Sequence, residues 1–178
     1  MSADDTGAPS TALVGAVREI EAHAHESGWD QPPRLYALVP TSELLEREPS
    51  LGPALGVDLG SAAGTLTPVE QEALPLDRPL EDTLRQIMWP ASVTGCVAVL
   101  ERVALPPHVE ESLPADPQAA QEYAANHPER QDVRMAVGVS RDGEQHCVLR
   151  ARAHGDALIQ GSDLVPTLVR LLHDTMNG

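Results

Sequence analysis

The sequence predicts an α+β domain, in which an antiparallel sheet of about four strands carries helices packed mainly on one face. Apolar stretches of two kinds support this fold class: long ones with helical steps of three and four residues, and short strand-like ones bounded by Pro or Gly. The two kinds do not alternate regularly, as they would in a parallel sheet. Near the C-terminus two strand-like stretches flank Arg141-Asp142-Gly143, which predicts a β-hairpin followed by a helix.

The length of 178 residues fits one domain with a core of ordinary size. Residues 1–9 are small and polar and are predicted to be a disordered tail. Residues 10–178 are predicted to form a single α+β domain. Its Pro-rich stretches at about 49–66 and 106–117 are predicted to be long loops. The sequence does not decide whether either loop carries a functional site.

The first helix is predicted from Ser10 or Thr11 to Gly28, where Gly suits the left-handed conformation that ends a helix. Its buried stripe consists of Leu13, Val17, Ile20 and Ala24. Thr67-Pro68-Val69-Glu70 predicts another helix start, with Thr as the N-cap, Pro at the first helical position and Glu three residues after the cap. Further helices are predicted at about 79–88, at 117–126 and from Ser162 or Asp163 onwards.

The four predicted strands cover residues 35–39, 95–105, 132–140 and 144–153. The faces of the last two strands fix the register of their hairpin. A two-residue Asp-Gly turn would mix apolar and charged side chains on one face. A three-residue loop with Gly143 in the left-handed conformation instead gives one apolar face, with Val133, Met135, Val137 and Val139 beside Ala151, Leu149 and Cys147.

In this register Arg134 and Arg150 become cross-strand neighbours, with His146 and Arg152 on the same side of the sheet. Two facing guanidinium groups repel each other unless something anionic lies close to both. One interpretation is a binding site for an anion or carboxylate ligand. The other is that acidic side chains of the chain itself, for example from a covering helix, neutralise the pair.

Trp29 and Trp89 both stand near proline at the ends of predicted elements. They either pin loops to the core or contact a partner or ligand. The candidate binding residues are therefore Arg134, Arg150, Arg152, His146, Trp29 and Trp89.

The sequence gives no complete set of catalytic residues, no metal site and no cofactor motif. His146 and Cys147 are successive strand residues, so their side chains point to opposite faces and cannot act as one pair. His23 and His25 lie about 200° apart around a helix and cannot share a metal ion. Cys96 and Cys147 lie in apolar strands, which predicts two buried, reduced thiols.

The excess of acidic over basic residues limits the kinds of molecule that the protein can bind. Twelve basic residues, all Arg, stand against 27 acidic residues, which gives a net charge of −15. Such a charge repels nucleic acid and anionic lipid, and it suits either solubility alone or a basic protein partner. The first residues are acidic, unlike a signal peptide, and no apolar stretch approaches the ~20 residues that span a bilayer. We expect a cytoplasmic protein that does not insert into membranes.

Several segments together resemble a family of uncharacterised actinobacterial α+β proteins. They are GWDQPPRLYALVPT at residues 28–41, TPVEQE at 67–72, Trp89-Pro90, Gly95-Cys96, HPERQDVR at 127–134, Arg141-Asp142-Gly143 and HCVLR at 146–150. The resemblance implies a compact α+β fold and an actinobacterial cytosolic setting. It implies no activity, cofactor or partner, and no catalytic residue carries over.

The leading functional hypothesis is a non-enzymatic binding or adaptor protein for a protein partner, which includes a second copy of the chain, or for a small anion. The absence of a local catalytic set favours this hypothesis and leaves catalysis open. The alternative is a hydrolase or transferase whose site assembles from distant segments, for instance from His127, His146, Glu70 and Arg150.

Overall fold

The computed structural model describes residues 11–50, 53, 65–71, 80–105, 107–154 and 158–177. The elements in chain order are α1 (Thr11–Glu26), β1 (Arg34–Pro40), α2 (Thr41–Arg47), β2 (Leu66–Glu70), α3 (Leu80–Leu84), β3 (Gly95–Ala104), α4 (Pro107–Glu110), α5 (Pro117–Asn126), β4 (Gln131–Ser140), β5 (Gln145–Ala151), β6 (Leu158–Gly161) and α6 (Pro166–Asn177). A 3-10 turn over Arg152–His154 follows β5.

The strands form one open sheet in the order β2-β1-β3-β4-β5-β6, and every neighbouring pair is antiparallel. The predicted α+β class with an antiparallel sheet is therefore confirmed. The predicted number of about four strands is wrong, because the sheet has six. The two additional strands are its edges, β2 and β6.

The segment Thr67-Pro68-Val69-Glu70, predicted to begin a helix, is instead most of strand β2, which pairs with β1. The Thr67 hydroxyl forms a hydrogen bond of 2.8 Å with the Thr41 hydroxyl, at the start of α2, instead of capping a helix of its own. Pro68 lacks an N–H group, which an edge strand tolerates. Local capping chemistry was thus overridden by strand pairing.

Helices cover both faces of the sheet, so the prediction of helices mainly on one face is wrong. Helix α1 packs on one face, called here the α1 face, and α3 and α6 pack on the other, called the α6 face. The cause lies in β3, whose first six residues are Gly or apolar. On β3, Val97 and Val99 lie under α1, whereas Cys96, Ala98 and Leu100 lie on the α6 face.

The β4–β5 hairpin has the predicted register. Val133 pairs with Ala151, Met135 with Leu149 and Val137 with Cys147. Gly143 has a φ of +89°, and its N–H donates to the Ser140 carbonyl at 3.0 Å. The helix predicted after the hairpin is α6, but β6 comes between them.

The predicted loop at 106–117 contains the short helix α4, and the Asp116 carboxylate accepts a bond from the Ala119 N–H at 3.0 Å to cap α5. The predicted tail and most of the predicted loop at 49–66 lie outside the described residues. The predicted helix at about 79–88 is shorter, since α3 ends at Leu84. Among the helices that the structure describes, none is long and apolar enough to cross a membrane.

Candidate functional site

Arg134 and Arg150 face each other across β4 and β5, and Glu21 of α1 neutralises them. The Glu21 carboxylate accepts two bonds from Arg150, from Nε at 2.8 Å and from Nη2 at 2.7 Å. Its Oε2 lies 3.7 Å from Nη1 of Arg134. Glu21 and Arg134 are each only 1% exposed. The structure thus places a carboxylate of the chain itself at the position that an external anion would occupy in a ligand-binding site.

Arg134 has further partners on the loop that follows α1. Its Nη2 donates to the Gly28 carbonyl at 2.6 Å, and the Glu101 carboxylate lies 3.9 Å away. Its guanidinium lies over the Trp29 ring, 4.3 Å from the centroid. Burial lowers the pKa of the Arg134 guanidinium, and Glu101 and Glu21 oppose this shift. The group keeps its charge at neutral pH because an arginine does not deprotonate in proteins.

Trp29 and Arg152 complete this cluster at the protein surface. Trp29 is half-buried and lies 5.7 Å from the Arg152 guanidinium as well. Arg152 is exposed and lies 3.3 Å from the Asp30 carboxylate and 3.4 Å from that of Asp132. Trp29 therefore contacts side chains of its own chain, and its predicted contact with a partner stays a prediction.

The loop that carries Trp29 is held by Glu101 of β3. The backbone N–H groups of Asp30 and Gln31 donate to the Glu101 carboxylate at 2.8 and 3.0 Å. Gly28 and Asp30 have φ values of +88° and +65°, and Asp is among the residues that tolerate this conformation. These contacts fix the ring of Trp29 beneath the guanidinium groups of Arg134 and Arg152.

His146 is buried on the same face of the sheet, and its Nε2 lies 3.2 Å from the Gln160 side-chain oxygen on β6. Cys147 lies in the core on the α6 face, so the predicted separation of these two side chains is confirmed. His146 thus lies on the same face as the arginine cluster, four residues along β5 from Arg150, and forms no pair with the thiol.

Trp89 lies on the opposite face and is pinned to α6. Its indole N–H donates to the Thr175 hydroxyl at 3.0 Å. Arg141 of the hairpin loop donates to the carbonyls of Trp89 and Pro90 at 3.0 and 2.9 Å, and to that of Met176 at 2.6 Å. Of the six predicted residues, the structure therefore brings Arg134, Arg150, Arg152 and Trp29 together. It places His146 further along the same face of the sheet and leaves Trp89 on the other face.

The two cysteines are free and buried, as predicted. Burial raises the pKa of the Cys96 thiol to about 12 and also raises that of Cys147. Both thiols are protonated at neutral pH, and the nucleophilic form of cysteine is the thiolate. Neither cysteine is therefore poised to act as a nucleophile.

The constellation named for the enzymatic alternative is not assembled. Glu70 ends β2, whereas His146 and Arg150 belong to β5, four strand spacings away in the sheet. At about 4.8 Å per spacing these strands are roughly 19 Å apart. A cavity beside Arg134 has a volume of about 10 Å³, at the limit for one water molecule. In the described parts of the chain no group of three His, Cys, Asp or Glu side chains is arranged to hold a metal ion.

Glu21 was missed at the sequence level, although its position carried a signal. It lies four residues after Val17 and three before Ala24, so it falls on the apolar stripe of α1. A carboxylate on the buried stripe of a helix needs a cationic partner. Likewise, the facing Arg134 and Arg150 needed an anionic partner, so the two requirements together pointed to Glu21.

An apolar row on the α6 face was also missed, because β6 was not predicted. Leu100, Met135, Leu149 and Ile159 are successive cross-strand neighbours from β3 to β6. Exposure rises along the row from 4% at Leu100 to 61% at Ile159. Leu164 is exposed and packs over Gly161, the next β6 residue on that face. Leu149, Ile159 and Leu164 are called here the β6 patch.

Fold and sites together define an α+β domain with an antiparallel sheet between helices, whose buried arginine cluster is neutralised by its own side chains. The chain belongs to the PPA1309-like protein family, whose model matches residues 13–177. The predicted membership of a family without established activity is thereby confirmed, and the actinobacterial origin stays a prediction. No curated protein and no solved structure matches the chain.

Proposed function

We propose that this protein is a non-enzymatic, cytoplasmic binding protein that holds a protein partner at the β6 patch. The supporting observation is the apolar row on the α6 face, which continues from the buried core to Ile159 at the edge of the sheet. Exposed apolar surface that continues a core is typical of interaction sites. Two buried free thiols suit a reducing compartment.

A protein partner is favoured over a small anion. An anion at the arginine cluster would have to displace Glu21 from two bonds to Arg150, both shorter than 2.9 Å. It would also have to enter a region where Glu21 and Arg134 are almost completely buried. The cluster therefore supports the fold, and the β6 patch is the better binding surface.

Site-specific photo-crosslinking tests this proposal. A photoreactive amino acid replaces Ile159 in the protein expressed in its own host, and a matched variant carries it at Val69. Val69 is 41% exposed on the opposite edge strand, so it controls for chance encounters. We expect a discrete polypeptide adduct at position 159 that is absent at position 69. Equal adducts at both positions, or none at position 159, would overturn the proposal.

A further inference from the structure

Resting on the proposed function, we infer that the partner adds a strand to β6. The partner would supply an extended, positively charged segment whose backbone pairs with the outer edge of β6. Its alternate apolar side chains would lie on the β6 patch. The argument rests on the edge itself, on the side-chain pattern across it and on the charge of the protein.

The two edges of the sheet differ in protection. Natural edge strands commonly carry proline or charged residues, which discourage pairing with another chain. Strand β2 has both, in Pro68 and Glu70. Strand β6, with the sequence Leu158-Ile159-Gln160-Gly161, has neither. Its inner side pairs with β5, and no strand in the described ranges pairs with its outer side. With respect to the described part of the chain, the β6 edge is therefore open to a partner strand.

Because β6 has only four residues, its backbone offers few bonds, and side chains must add to the affinity. A residue of the added strand next to Ile159 would extend the row of Leu100, Met135, Leu149 and Ile159 by one position. The residues on either side of it would point to the α1 face, beside Leu158 and Gln160. The bound segment is therefore expected to be apolar at every second position.

Charge selects between a foreign segment and a second copy of the chain. Each copy carries a net charge of −15, so two copies repel each other. The exposed Asp163 lies two residues after β6 and adds negative charge next to the edge. A segment with Lys or Arg at the alternate, non-apolar positions is attracted by the same field.

Three synthetic nine-residue peptides test this inference. All have Val at alternate positions, and the other positions are Lys in the first, Ser in the second and Glu in the third. Binding is measured by fluorescence anisotropy, and amide hydrogen exchange reports protection within residues 158–161. We expect the Lys peptide to bind most tightly, the Glu peptide to bind least, and the Lys peptide to slow exchange in β6.

Variants of Ile159 locate the binding. Ile159→Thr keeps a β-branched side chain but removes apolar surface, and we expect it to weaken binding of the Lys peptide by about tenfold. The matched control Val69→Thr, at the opposite edge, should leave binding unchanged. Because both side chains are substantially exposed, both variants are expected to fold, and circular dichroism checks this.

The outcomes separate this inference from the proposed function. Equal binding of all three peptides would overturn the charge selection, while the proposed function stands. No peptide binding together with a specific adduct at position 159 would overturn strand addition alone. An adduct between two copies of the chain would overturn the foreign, cationic partner. Loss of both peptide binding and the adduct would overturn inference and proposed function together.

Discussion

Glu21 holds two arginines of the sheet in a region that is almost completely buried. Its carboxylate bonds to Arg150 and lies close to Arg134, whose other neighbours include Glu101. A buried ion pair often adds little net stability compared with apolar residues of the same size. Removing one member is different, because a buried charge then loses an ionic partner at short distance.

The first prediction concerns this carboxylate. Glu21→Gln keeps the shape of the side chain, removes its charge and leaves two facing guanidinium groups. We expect the free energy of unfolding, measured by urea denaturation, to fall by about 3–5 kcal/mol. Glu19→Gln, at an exposed position of the same helix, should change it by less than about 0.5 kcal/mol. Equal effects of the two substitutions would show that Glu21 does not neutralise the cluster.

The second prediction concerns His173 on α6. Burial lowers the pKa of His173 from its ordinary value near 6.5, and Asp174 opposes the shift. The unfolded chain therefore takes up this proton first, so the contribution of His173 to stability is present above pH 6.5 and is lost as the pH falls.

The substitution His173→Gln should reduce the loss of unfolding free energy between pH 7 and pH 5. Urea denaturation at the two pH values measures it. Thr167→Ser, at an exposed position of the same helix and without a titrating group, is the control and should leave the loss as in the wild type. An unchanged pH dependence in His173→Gln would contradict the assignment.

At the scale of elements, α1 packs closely on β4 at Gly138. A Cβ atom at Gly138 would lie 2.4 Å from Cγ2 of Val17 and 3.1 Å from Cγ2 of Val97. Glycine is therefore what allows the helix to lie on the strand at this distance.

The third prediction tests this close approach. Gly138→Ala should lower the unfolding free energy by about 1–3 kcal/mol, because α1 or β4 must shift. The same substitution at Gly15, an exposed helix position with nothing within 4 Å of the added atom, should raise it by about 0.5–1 kcal/mol. Thermal unfolding of the two variants gives the comparison. A stabilised Gly138→Ala variant would be incompatible with the described packing.

Arg141 joins three separate segments through carbonyl groups. Besides Trp89, Pro90 and Met176, its guanidinium reaches the Val93 carbonyl at 2.7 Å. It thereby ties the hairpin loop to the segment before β3 and to the last turn of α6. The several donors of a guanidinium make this possible, and a lysine cannot reproduce their geometry.

The fourth prediction is that Arg141→Lys loosens the end of α6. We expect faster amide exchange in its last turn and a loss of about 1–3 kcal/mol in unfolding free energy. Arg170→Lys, at an exposed position on α6, serves as the control. Unchanged exchange in the Arg141 variant would mean that these bonds do not hold the helix end.

The sequence predicted the central strands well and the edge strands poorly, for a physical reason. Strands β1, β3, β4 and β5 are buried, and burial imposes an apolar pattern that can be read, including the hairpin register. Strands β2 and β6 have only five and four residues, and none of these residues is buried, so burial imposes no apolar pattern on their sequence. The arginine cluster was predicted from that register, whereas Glu21 required knowledge of which helix covers it.

For the whole molecule, the net charge of −15 is the dominant electrostatic feature. Mutual repulsion of the excess carboxylates destabilises the compact state, and salt screens exposed charges more than buried ones. The Glu21–Arg150 pair is buried and keeps most of its strength.

The fifth prediction is therefore that Tm rises as NaCl increases from 0.05 to 0.5 M. Thermal unfolding followed by circular dichroism measures this, with KCl at the same ionic strength as the control for specific ion effects. A Tm that falls with both salts would show that exposed ion pairs outweigh the overall repulsion.

The contact between Glu21 and Arg150 also has a consequence for biosynthesis, since the two residues are 129 positions apart in the chain. At a translation rate of about 5–20 residues per second, Arg150 is made roughly 6 to 26 s after Glu21. During that interval the nascent N-terminal helix has neither of its arginine partners. Its docking is complete only when both strands of the hairpin have left the ribosome, since the stripe packs on β4 and β5 as well as on β1 and β3. The part of the stripe that packs on the hairpin stays accessible to chaperones until then.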